Sequence, residues 1–319
     1  MERVAAESTP DTLVVGCGFV GSHVTEALLA AGRPVRVLTR SRRSLPFEQL
    51  LGPDRLLLGD AARPEVLSPA LEGVQEVVYC AGGLPPAAAE RAPHEDEAMT
   101  LRPLRALLAA LVRRPGVRLT LISSGGTVYG NPHENPVPED HAPAPLGAYG
   151  AIRLAAEQLA LHAHARGGLR IRILRCANVY GERQPVDRGQ GAVAVFLDRI
   201  ARRQEVVLYG RGEATRDFVY ARDVGSVVCA LLDHEAGPTI LNVGSGSGIS
   251  ICQLLALTEQ VLGRRARVVH LPARPFDVRQ VVLDIRRLRA LTGFEPTPLV
   301  AGLTRTAEAM GAHDVVLTA

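Results

Sequence analysis

Tyr149 and Arg153 stand four residues apart at the start of an alanine-rich stretch, directly after the proline-strewn segment PVPEDHAPAPLGA. Residues at that spacing share one face of a helix, so a guanidinium can approach a phenol there. An ordinary phenol titrates near pH 10. A cation within about 4–6 Å lowers an acid's pKa by roughly 1–3 units, which moves such a group toward proton transfer at neutral pH. The pair reads as a proton-transfer device: an acid/base and its charge partner.

Such a device works only if a scaffold holds it against a reactant, and the hydrophobic pattern predicts that scaffold. Short apolar runs at 12–16, 34–40, 54–60, 74–82, 117–125 and 169–181 alternate with amphipathic stretches at 19–31 and around 101–112. Continuous apolar strands separated by helices indicate a parallel sheet covered on both faces, here a doubly wound Rossmann α/β fold. After Gly181 the texture changes to short, irregular elements: a helix at 192–201, strands at 205–210 and 239–244, and a helix at 249–262. The expected division is a dinucleotide-binding domain over 1–180 and a smaller α/β substrate lobe over 181–319. A segment near 215–235 is expected to cross back to the first domain.

Gly16-Cys17-Gly18-Phe19-Val20-Gly21 follows the first strand and opens the first helix, the context in which a GxGxxG pattern carries meaning. Gly16 permits the tight turn, Gly18 lets a pyrophosphate approach the backbone, and Gly21 allows close helix–strand contact. The helix start, from Phe19 and Val20 onward, then offers N–H donors to the phosphates. An NAD site usually places a carboxylate at the end of the second strand to bind the adenosine ribose. This chain reads Leu38-Thr39-Arg40-Ser41-Arg42-Arg43, so Thr39, Arg40 and Arg43 suit a 2′-phosphate and NADP(H) is favoured, with NAD still open. Asp60, with Ala61 beside it, is placed to receive the adenine amino group. Ala81, Gly82 and Gly83 after the fourth strand allow the cofactor close to the main chain.

The order of motifs resembles the extended short-chain dehydrogenase/reductase family, within it the nucleotide-sugar 4-epimerases, 4,6-dehydratases and 4-ketoreductases. The motifs are Ser123-Ser124-Gly125-Gly126-Thr127-Val128-Tyr129-Gly130, Tyr149 with its cation, Asn178-Val179-Tyr180-Gly181, Arg216-Asp217-Phe218-Val219-Tyr220, and Arg274-Pro275-Phe276-Asp277. The resemblance extends over roughly residues 12–305. It implies that Tyr149 is the general acid/base at a sugar hydroxyl or carbonyl. It also implies that Asn178 and Arg216 hold a substrate diphosphate and that Arg274 with Asp277 holds the nucleotide; arginine suits phosphate because it binds oxygens through a bidentate fork. Arg153 stands where the family uses lysine. It either supplies lysine's charge or turns away, because its planar fork is bulkier and differently directed. Gly125 occupies the family's hydroxyl-donor position, leaving Thr127 and Ser124 as substitutes. Gly126-Thr127 replaces the Asp-Glu pair of the dehydratases, so dehydration is not expected.

Composition narrows the remaining classes. The 319-residue chain is 47% hydrophobic and 4% aromatic with a net charge of +3. Its arginines are scattered, which points to no nucleic acid and no membrane surface. Five separated cysteines without CxxC spacing fit reduced thiols, and MERVAAESTPD carries no apolar leader core, so a cytoplasmic location is expected. No metal is expected, since His162 and His164 at i,i+2 on a helix diverge. The favoured activity is NADPH-dependent reduction of a nucleotide-diphosphate 4-keto-6-deoxyhexose. The alternatives are a nucleotide-hexose 4-epimerase with tightly held NAD, and a catalytically weak dinucleotide-binding sensor or docking module. The resemblance further implies a homodimer.

Overall fold

A computed structural model describes residues 11–41, 47–52, 54–187 and 191–312. Seven strands form a parallel sheet: β1 (Asp11–Val15), β2 (Val35–Thr39), β3 (Leu56–Leu58), β4 (Val74–Tyr79), β5 (Arg118–Ser124), β6 (Arg170–Cys176) and, after a long excursion, β10 (Ile240–Val243). Their spatial order is β10-β6-β5-β4-β1-β2-β3. The order reverses between β1 and β4, which opens the crevice at the carboxyl ends of the strands where ligands of doubly wound sheets bind.

Helices cover both faces because both faces of the strands are apolar. Thr12, Leu13, Val14 and Val15 of β1 are all buried. One face carries α3 (Pro64–Ala70), α5 (Pro93–Leu111) and α7 (Ala148–Gly167), whose Leu104, Leu107, Leu111 and Ala160 join Leu13, Val77 and Leu119 in one core cluster. The other face carries α1 (Phe19–Ala30) and α9 (Ala221–Leu232), with Val24, Leu28, Val224 and Val228 buried together. Gly225 permits that contact: a Cβ there would lie 2.6 Å from the carbonyl oxygen of His23. Two short helices, α2 (Glu48–Leu51) and α4 (Pro86–Arg91), sit in connections, and α6 (Gly125–Val128) caps the end of β5.

The stretch 169–181, expected as one strand, is two. β6 ends at Cys176, the Ala177 N–H donates to the carbonyl of Val243, and β7 (Asn178–Tyr180) leaves the main sheet to pair with β9 (Thr215–Tyr220). β9 is the spine of a small sheet with β11 (Gly248–Ser250) and β13 (Gln280–Val281), while β8 (Glu205–Tyr209) and β12 (Arg267–Leu271) form a parallel pair. The remaining helices are α8 (Ala192–Ala201), α10 (Ile251–Leu262), α11 (Arg286–Thr292) and α12 (Leu299–Ala309). Tyr180, Phe196, Leu197, Phe218, Leu254 and Leu303 pack as a separate core there. α10 begins with a capping box, Ser250 accepting from the Gln253 N–H while Gln253 accepts from the Ser250 N–H.

Candidate active site

A groove of about 600 Å³ runs along the carboxyl ends of β1, β2 and β4. Gly16, Gly18, Thr39, Arg40, Asp60, Ala61, Ala81 and Gly82 all line it. Gly16 has φ of +90°, and a Cβ there would lie 2.6 Å from the Ala81 backbone, so only glycine closes the β1 turn against β4. Gly21 meets the Gly16 carbonyl at 1.9 Å from its hypothetical Cβ, so it serves helix–turn contact. Gly18, by contrast, has nothing within 4 Å of that position. Directly after it α1 begins, and its first N–H groups, those of Phe19, Val20 and Gly21, precede the first intrahelical hydrogen bond, from the Ser22 N–H to the Gly18 carbonyl at 3.0 Å. Free N–H donors at a helix start suit an anion such as a pyrophosphate. Asp60 accepts the Ala62 N–H on Oδ1 at 2.9 Å, and among the described residues no hydrogen bond engages Oδ2, which suits an adenine amino group. A dinucleotide fits this groove.

One expectation changes here. Gly83 does not line the groove; it faces α5, where a Cβ would lie 2.0 Å from Asp96 Oδ1, so its bare backbone admits a buried carboxylate. Arg43 lies outside the described residues. Besides Arg40, the groove is lined by another cation, Arg102 of α5.

A second cleft, of about 310 Å³, lies between the main sheet and the small sheet. Tyr149, Thr127, Asn178, Arg216, Arg274 and Asp277 line it together, although they come from α7, α6, β7, β9 and the loop before β13. Tyr149 is the second residue of α7. The neighbouring Gly150 lets the helix start approach α6, since a Cβ there would lie 3.0 Å from the Thr127 carbonyl oxygen. The Thr127 hydroxyl donates to Ser124 Oγ at 3.0 Å, so the two substitute hydroxyls act as one linked pair, with Thr127 facing the cleft. Gly125 cannot carry a donor: a Cβ would lie 2.7 Å from Leu283 Cδ1 and 2.9 Å from the Arg175 carbonyl oxygen. Ser123 is structural, its hydroxyl donating to Glu157, which also receives the buried Arg175 guanidinium.

Arg153 is only 8% exposed and lies over the Tyr149 ring, its guanidinium carbon 4.6 Å from the centroid. It attends the face of the ring. Its Nη2 stands 3.8 Å from Asp96 Oδ1, and Gly82 of the cofactor groove passes beside it. Arg153 therefore packs between the lining of the two clefts. Tyr79, at the end of β4, feels this charge as well: burial pushes its phenol up, while Arg153 and Arg40 pull the other way.

On the wall of the second cleft formed by the loop before β13, Arg274 makes a bidentate pair with Asp277 at 2.8 and 2.9 Å and lies over the rings of Tyr209 and Phe276. Arg216 pairs with neither Asp217 nor Asp223. It donates to the Thr215 and Arg279 carbonyls, and burial, with the Arg274 charge, pulls its pKa down although Asp277 pulls it up. Asp217 instead turns inward to accept from Ser245, Gly246 and Leu283, with burial raising its carboxyl. Asn178 donates to the Asp217 carbonyl at 2.9 Å, which fixes its amide at the cleft wall.

The sequence profile of the NAD dependent epimerase/dehydratase family matches residues 12–244. The chain belongs to this family. A UDP-glucose 4-epimerase of Azospirillum brasilense is 30% identical over 91% of this chain and 88% of its own length. The crystal structure of the Thermotoga maritima UDP-glucose 4-epimerase with UDP-glucose superposes with a TM-score of 0.86 at 30% identity, over 94% of this chain and 98% of that one. The Thermus thermophilus UDP-glucose 4-epimerase complexed with NAD gives 0.85 at 29% identity, over 95% and 99%.

This epimerase/dehydratase family member is an enzyme of the extended short-chain dehydrogenase/reductase class, as its motifs imply. Its arginine at 153 has a compositional setting that motif reading overlooks: all 36 of its lysine-plus-arginine residues are arginine. Three site residues were not singled out from the sequence. Asp96 lies in the first turn of α5 with no motif around it, Arg102 follows on the same helix, and Glu90 closes the cleft from α4. Only the absence of lysine could have been read in advance. Among the described residues, no three His, Cys, Asp or Glu are grouped to hold a metal ion, and no helix is long and apolar enough to cross a membrane.

Proposed function

We propose that this chain interconverts the C4 epimers of a nucleotide-diphosphate hexose of the UDP-glucose type, with NAD as resident cofactor. The observation that carries it is the position of the Tyr149–Arg153 pair: Tyr149 lines the sugar-side cleft, and Arg153, stacked on its ring, packs beside Gly82 of the dinucleotide groove. The likeness to UDP-glucose 4-epimerases over nearly the whole chain supports the reaction assignment. It outweighs the reduction favoured from Thr39 and Arg40.

In this reading the Tyr149 phenolate takes the proton of the C4 hydroxyl and returns it to the keto oxygen. Arg153 holds positive charge against the ring throughout. Thr127 turns its proton from Ser124 to the reacting oxygen and accepts in turn from the Ser124 hydroxyl. Asn178 and Arg216 receive the diphosphate, and Arg274 with Asp277 the nucleotide. Gly18 and the first turn of α1 take the cofactor pyrophosphate, and Asp60 its adenine. A nicotinamide cofactor held by these residues would supply reversible hydride acceptance at C4, which is what inversion there requires.

A second reading, NADPH-dependent 4-ketoreduction, is favoured by one feature: Arg40 and Arg102 both line the groove, with no acidic residue in the sequence from Thr39 to Arg43. Incubating the purified protein with UDP-galactose and no added cofactor separates the two. Conversion to UDP-glucose supports the epimerase. Inactivity there, with strict dependence on NADPH and a 4-keto sugar, replaces it with the reductase. The homodimer implied by the family resemblance belongs to the same proposal and is read by sedimentation.

A further inference from the structure

Four charged residues line the sugar-side cleft among the described residues. Arg274 and Asp277 neutralise each other, and Arg216 is the cation left for a diphosphate. The fourth is Glu90, beside the start of α7, where the bare backbone of Gly147 faces both its carboxylate and Phe276. It stands on α4, half-buried, and among the described residues it makes neither a hydrogen bond nor an ion pair. Its Oε1 lies 2.3 Å from where a Cβ on Gly147 would be, and Gly147 caps α7 two residues before Tyr149. A side chain at 147 would displace the carboxylate; glycine leaves it room beside the reacting residue.

A carboxylate carried into a cleft without a partner loses hydration and gains nothing until a ligand donates to it. Ionised, it is an acceptor only, so the group it meets must bring O–H or N–H. A second carboxylate there would face it as a like charge in a partly desolvated site, the repulsive element by which a cleft rejects a near-identical ligand.

We propose that Glu90 sets the sugar class: it accepts a hydrogen bond from a hydroxyl of a neutral nucleotide-diphosphate hexose and excludes the corresponding uronic acid. This rests on the proposed nucleotide-sugar reading and adds which hexose is taken. Epimerisation at C4 is common to both sugars, so the discrimination lies in binding.

The test measures binding of UDP-glucose and UDP-glucuronic acid by calorimetry, and turnover of both, for wild type, Glu90→Gln and Glu90→Ala. Wild type is expected to bind the neutral sugar about 100-fold more tightly or better. In Glu90→Gln the ratio narrows at least about 10-fold, chiefly through tighter binding of the uronate, since the amide removes the charge. In Glu90→Ala the uronate gains likewise while the neutral sugar loses its acceptor. Equal binding by wild type, or a ratio unchanged in both variants, overturns the proposal even if UDP-glucose is epimerised. If the ratio behaves as expected but neither sugar is turned over, the reaction assignment falls and the role of Glu90 stands. Binding of neither sugar overturns both.

Discussion

Arg153 and Asp96 form a pair whose worth can be measured directly. Their side chains are 9% and 0% exposed and their nearest charged atoms are 3.8 Å apart. Two unit charges about 4 Å apart attract by about 4 kcal/mol at an effective dielectric of 20, and removing one member of a buried pair costs about 3–5 kcal/mol because the other is stranded. Arg153→Met strands Asp96, which keeps only the Leu84 N–H at 2.6 Å and the Thr100 hydroxyl at 3.4 Å on one oxygen while Oδ2 has no partner. Asp96→Asn preserves an oxygen for those two donors, so it removes charge and little else. Arg153 is then left with the Tyr149 ring, its Nε already unpartnered. Each single variant should lose about 3–5 kcal/mol, and the double variant should lose less than the sum by at least about 2 kcal/mol. Urea unfolding followed by circular dichroism gives all four corners of the cycle. Arg153→Lys, which keeps the charge, should recover most of what Arg153→Met loses. Additivity within about 0.5 kcal/mol would refute the reasoning, because it would mean that the two side chains do not sense each other.

Tyr149→Phe should lower kcat by about 10²–10⁴-fold with the unfolding midpoint unchanged, as the hydroxyl makes no hydrogen bond among the described residues; unchanged turnover removes it from the chemistry. Thr127→Val should cost about 10²–10³-fold in kcat, and adding Ser124→Ala should cost little more, since the two hydroxyls are one linked donor. Gly18→Ala should weaken dinucleotide binding at least about 10-fold, read by fluorescence titration, while stability holds: Gly18 has open space around its hypothetical Cβ and no positive φ. His23 is buried and hydrogen-bonded to the Glu182 carbonyl and Arg183, and burial with the Arg183 charge holds its pKa down to about 4. A folded pKa below the unfolded value of about 6.5 gives stability that is present above pH 6.5 and lost as pH falls through 4, amounting to about 2 kcal/mol between pH 7 and pH 5. His23→Gln should flatten that part of the stability profile; an unchanged slope would assign the acid lability elsewhere.

Much of the scaffold was legible because it is locally encoded. The helix predicted over 192–201 is α8, Ala192–Ala201, and the runs at 34–40 and 117–125 became β2 and β5, trimmed by a residue at each end. These follow from side-chain period and from glycine or proline at the boundaries, properties of a few neighbouring residues. The run 169–181 was read too long because its apolar character continues past Cys176. What splits it is the competition between two sheets for its backbone, and that is not a local property. Gly83 was misread for a related reason: a glycine after a strand can open a ligand site or admit a distant side chain, and the carboxylate of Asp96 decides which.

The sequence by itself determined the apolar strand runs of the sheet, the tight turn at Gly16 and Gly18, and the Tyr149–Arg153 spacing, since each depends on residues within one or two helical turns. Only the tertiary structure decided what stands around that spacing. It put Arg153 on the ring face with Asp96 behind it, joined Thr127 to Ser124 where Gly125 has no room, and brought Glu90 to the cap of α7. The contacts of Asp96 with Arg153, of Leu283 with Gly125 and of Glu90 with Gly147 join chain segments far apart in sequence. They exist because specific glycines leave space at the crossing points, and whether such a space is filled by solvent, ligand or a charged side chain depends on the packing of the whole sheet.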